Sequence, residues 1–323
     1  MTTRAANKTR PVVPSARLGK RNKRGSIWGA AVLFSAVVIT GAALGFGSWS
    51  QTPSHMALST LLSSTHVHGI AVDPKDPQRL YLATHTGFFA VGRDGVATRL
   101  SDNQNDYMGF TPHPADPTVF FASGHPSTGG NLGFMTSTDG GKSWQQLAKG
   151  ASGPVDFHQM DVSKADPAVI YGVYSGLQVS RDGGRSWTMT GPAPAGIIDL
   201  AASAKDVNTL YAATQTGLLV SHAGGKSWQP SNLGEQPVSM VKTTSAGDVY
   251  AFVVGTGLVH ATEPSLTWNT LGNGFRGAYV LHLAVDPSSK DRLYAATFDP
   301  ATHRGDVLAT ADAGRTWSPL GAR

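Results

Sequence analysis

The sequence predicts an all-β protein, a six-bladed β-propeller with tight hairpins, preceded by one N-terminal transmembrane helix. Three observations predict it. Turn formers are abundant, with 38 Gly and 19 Pro among 323 residues, while charged residues make up only 15%. That mix is too apolar for a disordered chain and too rich in turns for a helical bundle. A short hairpin-like motif recurs along the chain, and so does a strand entered by an aromatic residue, at 39 to 50 residue intervals. Units of four short strands at that period build propeller blades.

The N-terminal region comes first. Residues 1–25 carry eight Lys/Arg and no acid, and read as a basic cytoplasmic tail. Residues 26–49 contain no charged side chain and are bracketed by Trp28 and Trp49. Their 24 residues exceed the about 20 a helix needs to cross a bilayer. They also exceed the apolar region of a cleaved signal peptide. The positive cluster before them predicts an N-terminus inside and the remainder outside the cytoplasm. Residues 50–65 read as a linker, and residues 66–323 as the propeller, in a single-pass protein of the cell membrane. Without the tail, 18 Lys/Arg face 21 Asp/Glu, which argues against a nucleic-acid partner despite a sequence pI near 9.4. The chain has no cysteine, so disulfides, thiolate metal sites and thiol nucleophiles are excluded.

The repeats follow. Four segments end in tryptophan after Ser/Thr-x-Asp-x-Gly-x-Ser/Thr: 137–144, 180–187, 221–228 and 310–317. The third carries Ala223 in place of Asp, a decayed fifth ends at Trp268, and Arg93-Asp94-Gly95 is a faint sixth. Asp bonding nearby amides and Gly accepting positive φ are the chemistry of a hairpin turn. Before these turns come the strand-entering aromatics Tyr81, Phe121, Tyr171, Tyr211, Tyr250 and Tyr294. Each unit therefore reads as strands A to D, with the Asp turn joining C to D and the aromatic entering B.

These turns resemble the Asp-box (BNR) repeat of sialidases, sortilin-type receptors and the photosystem II assembly factor group. The arrangement is similar to small bacterial membrane-anchored proteins called glycosyl hydrolase-like. The resemblance implies that Asp139, Asp182 and Asp312 are structural and lie away from any active site. A sialidase would also need an arginine triad and an Arg-Ile-Pro signature, and the signature is absent.

Propeller geometry puts the D–A and B–C connections on the face opposite the Asp turns. Functional groups are expected there, at the start of strand A and the end of strand B. Aligned on the strand-B aromatics, His68, Met108 and His158 are equivalent, as are His66, Asp106 and Asp156, and His85 and His125. Imidazoles with a thioether and carboxylates suit copper or zinc, so His66, His68, His85, Met108, His125 and His158 are the candidate metal ligands. Alternatively Asp106 and Asp156 hold the second imidazole nitrogens. His282 falls one position off this alignment. For glycoside cleavage, two placed carboxyls are required, and Asp106 and Asp156 are the catalytic candidates. Glu235, Arg276 and Tyr279 are candidate ligand-binding residues on the same face. Of the two glutamates in the chain, the other, Glu263, reads as a turn residue. No phosphate-cradling loop or Gly-x-Ser-x-Gly elbow occurs. The expected function is capture of a small ligand, glycan, metal ion or protein partner through the His/Met/Asp set. The alternative is a glycosyl hydrolase-like enzyme using the aspartates.

Overall fold

The computed structural model describes residues 54–321. The basic tail and the segment 26–49 expected to span the membrane lie outside the described residues. Among the described residues no helix is long and apolar enough to cross a membrane.

Six antiparallel sheets follow one another along the chain, each with four consecutive strands in simple up-and-down order and the first with one further strand on its edge. Their first strands are Val67–Asp73, Asp106–Pro112, Gln159–Val162, Ile197–Ala202, Val238–Thr243 and Tyr279–Asp286. Each of these touches the first strand of the blade before and the blade after, and the sixth touches the first. They are the innermost strands of a closed six-bladed ring. All six expected aromatics sit in the second strand of their blade.

The box turns are C–D hairpins, and their hydrogen bonds explain the motif. In blade 2 the Asp139 carboxylate accepts from the Lys142 and Ser143 amides at 3.0 Å and from the Ser143 hydroxyl at 2.6 Å. The Trp144 indole N–H then donates to the Gly141 carbonyl at 3.0 Å. Blades 3 and 6 repeat the arrangement around Asp182 and Asp312. Where Ala223 replaces Asp in blade 4, the Ser221 hydroxyl and Trp228 indole contacts persist without the carboxylate. Glu263, in the decayed fifth box, leaves its own turn. It accepts from the Tyr211 hydroxyl at 2.7 Å and the Ala204 amide at 3.0 Å, tying blade 5 to blade 4.

The core is not one mass but six clusters, one per junction between blades. Trp144 packs with Phe88 and Phe120 between blades 1 and 2, and Trp187 with Phe134 and Phe157 between blades 2 and 3. Trp228, Trp268 and Trp317 serve the next three junctions. Blade 1 has no box tryptophan. At its junction with blade 6, Leu58 and Leu61 pack among Leu80, Phe89, Ala284, Tyr294 and Val307.

Those two leucines belong to the segment read as part of a linker. Residues 55–57 instead form a fifth strand on the outer edge of blade 1, paired with Val96–Arg99, and Leu58–Ser64 is a helix. Blade 6 supplies its own four strands, so the ring closes by packing rather than by strand exchange. The Tyr294 hydroxyl, donating to the Pro77 carbonyl at 2.9 Å, also crosses this junction.

Candidate metal centre

Five histidines and two aspartates gather at the starts of the innermost strands of blades 1 to 3 and the ends of their second strands. Antiparallel pairing brings these positions together within a blade. Asp106 stands directly opposite His125, and the His85 amide donates to the His66 carbonyl. The inner contacts between blades then bring blade 1 against blade 2, and blade 2 against blade 3.

His68 reaches the site through a β-bulge. The ladder pairs Val67 with Thr84 and Gly69 with Ala83, leaving His68 as the extra residue. A bulge re-aims one side chain without breaking the strand. The innermost strands of blades 4, 5 and 6 bulge at Ile198, Ser239 and Leu281. Blade 2 differs. Its irregularity falls between Met108 and Thr111, so Met108 pairs with Ser123 in the ladder, as Gly69 pairs with Ala83. Counting residues therefore misaligns Met108 with His68. Its side chain is buried, 7% exposed.

Asp106 is the centre of the group. It is 4% exposed, and its two oxygens face different imidazoles. Oδ2 is hydrogen-bonded to His85 Nδ1 and lies 3.5 Å from His125 Nε2. Oδ1 lies 3.5 Å from His68 Nε2, and neither of these two buried atoms has a hydrogen-bond partner. Ligand atoms from His68, His85 and Asp106 all fall within 4.8 Å of one another. The His68 and His85 rings meet edge to face with centroids 4.2 Å apart, and His66 is 5.6 Å from His85. His158 Nε2 is 2.9 Å from Asp156 Oδ2, while Asp156 Oδ1 is buried and unpartnered.

The electrostatics separate the imidazoles. Burial, reinforced by His85, His282, His158 and His66, holds His68 well below its usual range. It is neutral at pH 7, which is the form that ligates a metal. Burial and His85 also lower His66, against the pull of Asp106. The hydrogen bond to Asp156 raises His158. His282 is pushed down to about 4 by burial and by Lys242, and it donates to the Val67 backbone. Leu281 bulges at the place in its blade where His68 does, so His282 is the equivalent of Gly69, one position off the alignment as the residue count has it.

The axis carries further buried charge that the sequence pattern does not reveal. Asp161 accepts from Thr111, from the Ala202 amide at 2.8 Å and from Lys164. Burial pulls Lys164 down to about 8 and pushes Asp199 up to about 7. The alternation in these strands marks a core face, and nothing in it distinguishes a buried ion pair from a surface one.

The other nominated residues lie elsewhere on the ring. Glu235 is exposed in the connection between blades 4 and 5. Arg276 is exposed, with a left-handed φ of 51°, in the turn before blade 6. Tyr279 packs against the cluster between blades 5 and 6.

Comparison with known proteins agrees with this architecture. Residues 135–146, the box of blade 2, match the BNR/Asp-box repeat. No curated protein matches the chain. Among solved structures it is similar to the GH74 xyloglucanase from Xanthomonas campestris, at 21% identity and a TM-score of 0.53 over 79% of this chain and 45% of that one. It is similar to the GH74 enzyme of Niastella koreensis at 14% identity and a TM-score of 0.55, again over 79% and 45%. YCF48 from Cyanidioschyzon merolae matches at 17% identity and a TM-score of 0.48, over 83% and 88%. The chain thus spans less than half the length of the GH74 enzymes, and at these identities the likeness is one of fold. The protein is a six-bladed β-propeller with Asp-box repeats.

Proposed function

We propose that this propeller is a metal-binding module. Its site is the cluster of His68, His85 and Asp106, with His66, His125 and His158 around it. The observation that carries the reading is the pair of unpartnered buried atoms, His68 Nε2 and Asp106 Oδ1, 3.5 Å apart. A buried donor or acceptor left unmade costs about 1–3 kcal/mol, so such a pair signals a missing partner. A nitrogen and oxygen donor set without thiolate suits Zn(II) or Cu(II). Met108 is left out of the ligand set because its backbone register differs from that of His68.

The hydrolase reading has less support. Asp106 and Asp156 would have to act as free acid and base, yet each is engaged by an imidazole. The fold likeness to GH74 enzymes says nothing about chemistry. The charge-free segment 26–49 and the basic tail before it support a module anchored in the cell membrane with its ring outside the cytoplasm.

Elemental analysis tests the function. After loading with Zn(II) or Cu(II) and desalting, the full chain is expected to retain metal. His68→Ala is expected to weaken retention on the order of tenfold or more. A chain that retains neither ion overturns the reading. Turnover across a panel of chromogenic glycosides, abolished by Asp156→Asn, would replace it with the enzyme.

A further inference from the structure

The two oxygens of Asp106 do different work. Oδ1 faces His68 Nε2 at 3.5 Å, while Oδ2 faces His125 Nε2 at 3.5 Å and is hydrogen-bonded to His85 Nδ1. Two donors on one tetrahedral ion, each about 2.1 Å from it, stand about 3.4 Å apart. Both nitrogen–oxygen spacings meet that condition, and they do so on opposite oxygens of one carboxylate. We propose that Asp106 bridges two divalent transition-metal ions, one held between Oδ1 and His68, with His85 within 4.8 Å of both residues, the other between Oδ2 and His125. This inference rests on the metal-binding reading and goes beyond it in number and arrangement.

Three further observations support two ions over one. A single ion on the Oδ2 side would leave His68 Nε2 and Asp106 Oδ1 buried without partners. A single ion on the Oδ1 side would leave His125 outside the centre. The supply of donors also exceeds one tetrahedral ion, which takes four. Asp156 Oδ1 is a third buried and unpartnered atom, next to the His158 it anchors, and the His66 ring lies 5.6 Å from that of His85.

The test is stoichiometry on the full chain. The purified protein is stripped with a chelator and titrated with Zn(II), and native mass spectrometry counts the ions bound. The wild type is expected to saturate at two. His125→Gln, a half-buried position at the end of its strand where substitution spares the fold, is expected to saturate at one, as is His68→Gln. Asp106→Asn is expected to weaken both positions. With Cu(II), the doubly loaded form is expected to show coupled spins, with less integrated resonance intensity than two isolated ions. Saturation of the wild type at one ion, or at two that His125→Gln leaves unchanged, overturns the bridge while metal binding stands. Binding of no ion takes both readings down.

Discussion

Asp106 can sit buried among imidazoles because the strand beside it comes unusually close. Gly124 has a φ of 115°, and a β-carbon there would lie 2.0 Å from the Asp106 carbonyl oxygen. Only glycine fits a backbone approach that tight. Gly124→Ala is therefore expected to destabilise the fold by about 1–3 kcal/mol through strain and displacement. Because the displaced residue is Asp106, Zn(II) affinity should fall with it. Denaturant unfolding and a Zn(II) titration check the pair of effects. Unchanged affinity in a folded variant would show that the carboxylate does not depend on this contact. The residue scale also explains His68, whose imidazole enters the site because its strand carries one extra residue there.

At the scale of the element, the Asp box is a small electrostatic device. Bonds from a neighbouring hydroxyl and backbone amides hold Asp182 and Asp312 at about 2, below the usual 3.8. A carboxylate depressed in the folded state contributes stability above its unfolded value and loses it as pH falls through the folded one. The contribution is thus complete above about pH 4 and gone near pH 2. Asp182→Asn should flatten that part of the stability profile and lower stability at neutral pH. Thermal unfolding between pH 2 and 7 measures both. A profile as steep as the wild type's would sink the assignment. The blade 4 hairpin shows that the turn itself survives without the carboxylate, since the Ser221 and Trp228 contacts suffice to shape it.

Across the whole molecule the question is how a ring without strand exchange stays shut. Five junctions are filled by a box tryptophan, and the sixth by Leu58 and Leu61 of the short helix. That helix and the strand before it act as a clasp, since the strand adds to blade 1 while the helix also contacts the third strand of blade 6, Arg304–Thr310. Leu61 is fully buried. Leu61→Ala is expected to cost about 2–5 kcal/mol, as deletion of a buried leucine side chain does in a core that cannot collapse around the cavity. Equilibrium urea unfolding measures the loss. A cost below that of an exposed leucine would mean that the ring closes without the clasp.

Much of this was legible in the chain itself. Asp-Gly turns, tryptophans and strand-entering aromatics recur because each blade solves the same local problem, so their spacing alone determined six blades and the face that carries His66, His68, His85, Asp106 and His125. Those features depend on turn chemistry and on alternation, which are short-range. The rest depends on register and on neighbours far along the chain. A bulge moves a side chain by one position without changing the composition of its strand, which is why Met108 could not be placed by counting. Whether Leu58 and Leu61 belong to a tether or a clasp is likewise invisible until blade 6 lies beside blade 1. Only the folded ring decided that the two oxygens of Asp106 meet imidazoles from both flanking strands, because no local pattern encodes which way a buried carboxylate turns.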